Sequence, residues 1–101
     1  MASMSFDIVM AREAVEDVRR LKANVRATVK DALNVHLSAE PGKTSRSRIK
    51  RLRGLSKPRY RLRVVDLRIF YDVSVADRRV EVLAVVPKSE TDKWLAQFGK
   101  P

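Results

Sequence analysis

Tyr60-Arg61-Leu62-Arg63-Val64-Val65-Asp66-Leu67-Arg68-Ile69-Phe70-Tyr71-Asp72-Val73 is the stretch that decides the fold. Its period is two. Tyr60, Leu62 and Val64 point one way and Arg61 and Arg63 the other, as on a strand with one buried face. Val65-Asp66 reads as a tight turn. Leu67, Ile69, Tyr71 and Val73 then carry the apolar face along a second strand, with Arg68, Phe70 and Asp72 opposite. Asp77-Arg78 marks the next turn. Val80 to Val86 is nearly continuous in apolar residues, which predicts a central strand covered on both faces and ended by Pro87.

On the N-terminal side the pattern changes twice. Phe6 to Met10 is a short apolar run and predicts a first strand. Val15, Val18, Leu21, Val25, Val29, Leu33 and Leu37 recur every three or four residues, one stripe of a helix, with Arg12, Glu16, Arg19, Arg20, Arg26 and Lys30 on the other face. The stripe is long for a single helix, and Asn24 is a candidate N-cap in its middle. Two consecutive helices over residues 11–22 and 25–39 are therefore expected, stopped by Pro41-Gly42. Residues 42–58 read as a polar surface loop with a short strand around Ile49–Leu52. Beyond Pro87, residues 92–98 predict a short C-terminal helix with Trp94, Leu95 and Phe98 on one face. The expectation is one α+β domain over residues 1–101: an N-terminal strand and two helices, an antiparallel meander sheet, and a short C-terminal helix.

Composition restricts what such a domain does. The chain has 101 residues, 22 Lys+Arg against 12 Asp+Glu, a formal net charge of +10, 45% apolar residues, one His and no Cys. A disulfide scaffold, a zinc finger and a thiol nucleophile are excluded, and a Ser-His-Asp arrangement is disfavoured. No apolar run approaches the ~18 residues that span a bilayer. No signal-peptide core is visible at the N-terminus, so a cytoplasmic protein without a membrane partner is expected.

The surplus charge is concentrated. Residues 41–65 hold ten cations and no carboxylate: Lys43, Arg46, Arg48, Lys50, Arg51, Arg53, Lys57, Arg59, Arg61 and Arg63. Such a block sets up a positive field that draws a polyanion, nucleic acid or an acidic protein segment. The bland alternative is a solvated face. Arg61 and Arg63 share one strand face, and Arg68 returns beside them on the next strand. Three guanidiniums there form a phosphate clamp, because each offers a planar fork of donors. Alternatively they are surface arginines paired to Asp66, Asp72 and Glu81. Tyr60, Tyr71, Trp94 and Phe98 are assigned to the core, with base stacking by an exposed Trp94 as the other reading. His36, near the end of the second helix, is read as a packed or capping residue. Neither clustered metal ligands nor a Gly-rich phosphate loop is present, so no metal and no cofactor is expected.

Leu52-Arg53-Gly54-Leu55, the run from Tyr60 to Val73, and Val80-Glu81-Val82-Leu83-Ala84-Val85 resemble the RelE/ParE superfamily of bacterial and archaeal toxins. The family pattern is an L-x-G segment, a Y-R-L-R-V-G-D-Y-R-I-x-Y run and an apolar strand. The resemblance implies a small basic toxin encoded beside an antitoxin that covers it with an extended or helical, often acidic, segment in a hetero-oligomeric complex. RelE-type members bind the ribosome and cut mRNA there without a metal; ParE-type members poison DNA gyrase. A toxin fold kept only as a binding partner is a third possibility. Carried over by position, Arg61 and Arg63 match basic residues that contact the substrate phosphates, Arg68 matches the arginine that steadies the scissile phosphate, and Lys88 matches a basic residue after the last strand. The implied catalytic set is Arg61, Arg63, Arg68 and Lys88. The remaining basic residues, Lys43, Arg46, Arg48, Lys50, Arg51, Arg53, Lys57 and Arg59, are the nucleic-acid-binding candidates. The chain departs from the pattern in three places. Val65 stands where the turn has Gly, Ser89 where a second basic residue often follows, and Trp94-Leu95 where a Tyr or His is common.

Overall fold

A computed structural model describes residues 5–101. Its single sheet has five strands in the order β1-β5-β4-β3-β2: β1 Asp7–Met10, β2 Ile49–Arg51, β3 Tyr60–Val64, β4 Leu67–Ser74 and β5 Arg79–Pro87. The meander β3-β4-β5 is antiparallel, and β2 adds an antiparallel edge beside β3. β1 pairs parallel with β5, Ile8 opposite Val80 and Met10 opposite Val82. That pairing gives β5 a neighbour on each side, and its residues pack into the apolar clusters on both faces of the sheet, which accounts for its continuous apolar sequence.

Two layers cover the sheet. On one face lie helices α1 (Arg12–Arg19) and α2 (Ala23–Leu37). Ala14, Val18, Val29, Leu33 and Leu37 from these helices pack against Leu62, Val64, Ile69, Tyr71, Val80, Val82 and Val85. On the other face α3 (Thr91–Phe98) rests on a smaller apolar patch, where Trp94 and Leu95 meet Phe70, Ala84, Val86 and Leu52. A bulge in β5 distributes its residues between the layers: Phe70 pairs with Ala84 but Tyr71 with Val82, so Leu83 is the extra residue. Val82 and Val85 therefore both face the helical pair. β1 ends at Met10, and α1 covers the edge of β5 beyond it, where Asp17 Oδ2 accepts the Val85 N–H at 3.0 Å.

Several expectations are corrected. α2 starts two residues before the expected position. Its N-cap is Lys22, whose extended backbone (φ −62°, ψ 151°) opens the helix without a side-chain cap. Asn24 lies inside the helix, its carbonyl accepting Thr28 Oγ1 at 3.0 Å. In α1 the buried residues are Ala14 and Val18, while Val15 is only half-buried. Phe98 does not seal the core. It is 54% exposed and leans on the outer side of Trp94 at 5.5 Å, because the patch beneath α3 is filled by Trp94 and Leu95.

The tail after α3 turns back sharply. Gly99 N–H donates to Leu95 C=O at 2.8 Å, and a Cβ on Gly99 would lie 2.6 Å from that oxygen, so only glycine fits. Lys100 then pairs backbone to backbone with Lys57 and Ser56, tying the C-terminus to the basic loop. Among the described residues no helix is long and apolar enough to cross a membrane.

Candidate nucleic-acid interface

Strand register decides which cations meet. Arg61 stands opposite Lys50 on β2 and Phe70 on β4, and Arg63 stands directly opposite Arg68. Arg63 N–H donates to Arg48 C=O at 2.8 Å. Directly opposed residues lie on the same side of a sheet. Two pairs result on the α3 side, Lys50–Arg61 and Arg63–Arg68. Like charges directly opposite are unfavourable by a few tenths to about 1 kcal/mol, so nothing in sheet stability accounts for this arrangement.

No carboxylate relieves it. Among the described residues no ion pair involves Arg61, Arg63 or Arg68, and Asp72 and Glu81 are engaged elsewhere. Asp72 Oδ1 accepts the Arg59 N–H at 2.7 Å, and Glu81 pairs with Lys57 at 3.4 Å. The pKa of Arg61 is lowered from its ordinary value, first by burial and then by the charges of Arg68 and Arg63. A guanidinium so placed remains protonated at neutral pH. Its Nε is buried with no acceptor. A donor left in that state is unfavourable by about 1–3 kcal/mol.

Arg68 differs from its partners. It is only 7% exposed, and Nη1 donates to Val65 C=O at 3.2 Å and Leu67 C=O at 2.9 Å. The turn it touches carries Val65 at φ 53°. Lys88, the first residue of a 3-10 turn (Lys88–Glu90), is held at the same hairpin tip, its N–H donating to Asp66 C=O at 2.7 Å. Beside the tip a shallow hollow of about 380 Å³ is lined by Ser47, Arg48, Arg63 and Val65. The charge run alone did not single out Ser47. It enters because the chain before β2 passes over the end of β3.

The sheet divides the remaining cations. Lys50 belongs to one of the pairs and Arg48 to the hollow. Arg51, one residue on, lies on the helical side, its guanidinium 5.4 Å from the centre of the Tyr60 ring. Lys43 pairs with Glu40 at 3.6 Å near the end of α2. Lys57 is bound to Glu81. Arg59 Nε donates to Ser56 C=O at 3.4 Å, and Arg46 and Arg53 are exposed. The ten cations are thus not one surface. The signal was legible in Ile49-Lys50-Arg51, where the apolar Ile49 fixes the phase and sends Arg51 to its own side.

Trp94 is not free to stack on a base. It lies flat on Phe70, centroids 4.8 Å apart and planes 2° from parallel. Tyr71 is fully buried and its hydroxyl donates to Pro41 C=O at 2.7 Å; Tyr60 stacks on it at 5.4 Å. His36 lines a separate hollow with Lys43 and Arg48, its pKa lowered mainly by burial and then by Arg48, against an upward pull from Asp31. Among the described residues no three His, Cys, Asp or Glu side chains group to hold a metal. The α3 side can therefore grip and neutralise a phosphate chain, and among the described residues no carboxylate forms an ion pair with Arg61, Arg63 or Arg68.

Comparison with known proteins agrees with this architecture. The fold is similar to the toxin–antitoxin complex RelBE2 from Mycobacterium tuberculosis, with TM-score 0.71 and 22% identity over 82% of this chain and 91% of that one. It is similar to the archaeal RelE–RelB complex from Pyrococcus horikoshii, with TM-score 0.69 and 20% identity over 83% and 96%. A free mutant of the E. coli toxin RelE gives TM-score 0.66 and 22% identity over 89% and 90%. No curated protein sequence matches the chain. The model of the ParE toxin family of type II toxin–antitoxin systems matches residues 8–91, most of the chain. By that match the chain belongs to the ParE toxin family, within the RelE/ParE superfamily of type II toxins.

Proposed function

We propose that this toxin is a ribosome-dependent mRNA endoribonuclease that works without a metal and arrests translation in the cytoplasm. One observation carries the reading: the cross-strand pairs Lys50–Arg61 and Arg63–Arg68 lie on one sheet face, and among the described residues no ion pair neutralises Arg61, Arg63 or Arg68. In the reaction the ribose 2′-oxygen attacks the adjacent phosphorus, and the 5′-oxygen of the next nucleotide leaves, giving a 2′,3′-cyclic phosphate. Fixed cations favour the added charge of the phosphorane more than the ground state. In this reading Arg61 and Arg63 supply that field, and Lys88, whose backbone N–H is held by Asp66 C=O at the hairpin tip, is assigned as the donor to the leaving oxygen. An arginine is a poor base, so the 2′-proton leaves to a group of the ribosome, its RNA or water.

The runner-up is a gyrase inhibitor, favoured by the family match to ParE and by Ser89 and Leu95 at positions where RNA-cutting relatives of the pattern carry basic or aromatic groups. In either reading the resting partner is an antitoxin whose acidic or amphipathic segment covers the arginine face in a hetero-oligomer. The similar structures RelBE2 and the archaeal RelE–RelB are complexes of this kind of toxin with an antitoxin, which supports an antitoxin partner.

Induced expression with mapping of mRNA 5′ ends separates the readings. New 5′ ends in translated messages, lost in Arg61→Ala and Arg63→Ala, are the expected result. Uncut mRNA with DNA-damage signalling selects the gyrase reading; harmless expression at high level rejects both.

A further inference from the structure

Val65 is β-branched, yet it sits at φ 53°, where a Cβ crowds the neighbouring carbonyl. It is 71% exposed, so packing does not hold it there. The group that closes on it is the Arg68 guanidinium. Nη1 bridges the carbonyls of Val65 and Leu67, on either side of Asp66. Asp66 in turn accepts the Lys88 N–H. One buried cation therefore fixes a strained two-residue turn that Arg63 enters, Arg68 leaves and Lys88 rests against. Carbonyl partners are what a charge this buried requires.

We propose that Arg68 is a positioning residue: its guanidinium locks the left-handed Val65 turn and so sets Arg63 and Lys88 against the bound phosphate, rather than gripping that phosphate itself. The proposal rests on the reading that the arginine face takes an RNA backbone. Arg63 supports the division of labour. It is the exposed member of the cross-strand pair and lines the hollow, whereas Arg68 lies beneath with one nitrogen committed to the turn.

The same logic gives Val65 a defined partner. Glycine adopts φ 53° without strain, so a glycine turn needs the clamp far less. Four forms of the full chain test this: wild type, Val65→Gly, Arg68→Ala and the double variant Val65→Gly/Arg68→Ala. They are compared by melting temperature, by hydrogen exchange of the Lys88 amide, and by binding of a labelled single-stranded RNA oligonucleotide across a salt series. In Arg68→Ala the Lys88 amide is expected to exchange about tenfold faster, with RNA binding weakened about tenfold. In the double variant both return to within about threefold of Val65→Gly, with an unchanged salt slope.

A direct phosphate contact predicts something else. The slope of log affinity against log salt falls by about 0.7 in both Arg68→Ala forms, Lys88 protection stays as in wild type, and glycine rescues nothing. That result overturns the proposal. Should wild type bind no RNA, the RNA reading fails, while Lys88 exchange and the glycine rescue of melting temperature still decide the clamp. Should Arg68→Ala fail to fold, recovery in the double variant upholds the clamp, and failure of both variants rejects it.

Discussion

The two faces of the β3–β4 hairpin are made of alternate residues of one stretch, and they follow opposite rules. On the helical side Leu62, Ile69 and Tyr71 are fully buried. On the α3 side Arg63 stands across from Arg68, and an Arg61 donor has no acceptor. The first face lowers the free energy of folding; on the second, Phe70 is buried against Trp94, but the opposed arginines raise it and are kept in spite of that. A local arrangement that opposes stability and has no internal partner points to a ligand outside the chain.

The sharpest way to break this contrast is a core truncation. Leu62→Ala removes a fully buried side chain between Ile49 and Ile69 and is expected to destabilise the fold by about 2–5 kcal/mol. Urea unfolding measures it. Arg61→Ala and Arg63→Ala, on either side of it in sequence, should leave the unfolding midpoint unchanged or higher. If either arginine variant is as unstable as Leu62→Ala, the faces are not functionally distinct.

Next in size is a pH effect confined to the helical face. Burial, and then the neighbouring Tyr60, push the Tyr71 phenol well above its ordinary value, and its hydroxyl is held by Pro41 C=O. The folded pKa therefore exceeds the unfolded one, so the contribution is complete below the unfolded pKa of about 10. It is lost as pH rises from there toward the folded value, because only the unfolded chain releases the proton. Stability should fall above that pH by up to about 1.4 kcal/mol per pH unit from this group. Tyr71→Phe, less stable at pH 7 by about 1 kcal/mol for the lost hydrogen bond, should show a shallower decline. Parallel curves for the two proteins would remove Tyr71 from the account.

The α3 face responds to charge instead. Arg63→Ala relieves the like-charge pair with Arg68 and should stabilise the isolated protein by a few tenths of a kcal/mol, at most about 1. The same variant should weaken binding of single-stranded RNA and make its salt slope shallower by about 0.7. Opposite signs in stability and affinity are the expected signature. A variant that loses stability as well as affinity would mean that Arg63 serves the fold.

How much of this was legible beforehand follows from the range of each interaction. The strand phases between Tyr60 and Val73 were readable because period-two alternation is local. The parallel partner of β5 was not, since Ile8 and Val80 meet only through the crossover of the helical pair. Asn24 looked like a cap because its side chain suits one, but Lys22 already has the extended backbone that opens α2. Phe98 has core-like spacing, yet the patch under α3 is packed by Trp94 and Leu95, and Phe98 stays half exposed. At the site, the shared face of Arg61, Arg63 and Arg68 was readable. The bond from Arg68 to the Val65 carbonyl was not, because the Val65–Asp66 turn folds the arginine back only when Val65 adopts a positive φ.

The smallest expected effect gives the finest test of the boundary between the faces. Lys50 and Arg51 are neighbours in sequence and equal in charge. Lys50 is opposite Arg61 in one of the cation pairs, whereas Arg51 is opposite Tyr60 and lies over its ring. If only net charge matters, Lys50→Ala and Arg51→Ala weaken RNA binding equally. If the face matters, Lys50→Ala lowers affinity and flattens the salt dependence, while Arg51→Ala leaves RNA binding within about twofold and costs about 0.5–1 kcal/mol of stability through the lost ring contact. Titration of the two variants with one RNA oligonucleotide, beside their unfolding curves, decides it. The difference is small, but a field averaged over the whole basic stretch cannot produce it; only strand register, which sends adjacent side chains to opposite sides, can.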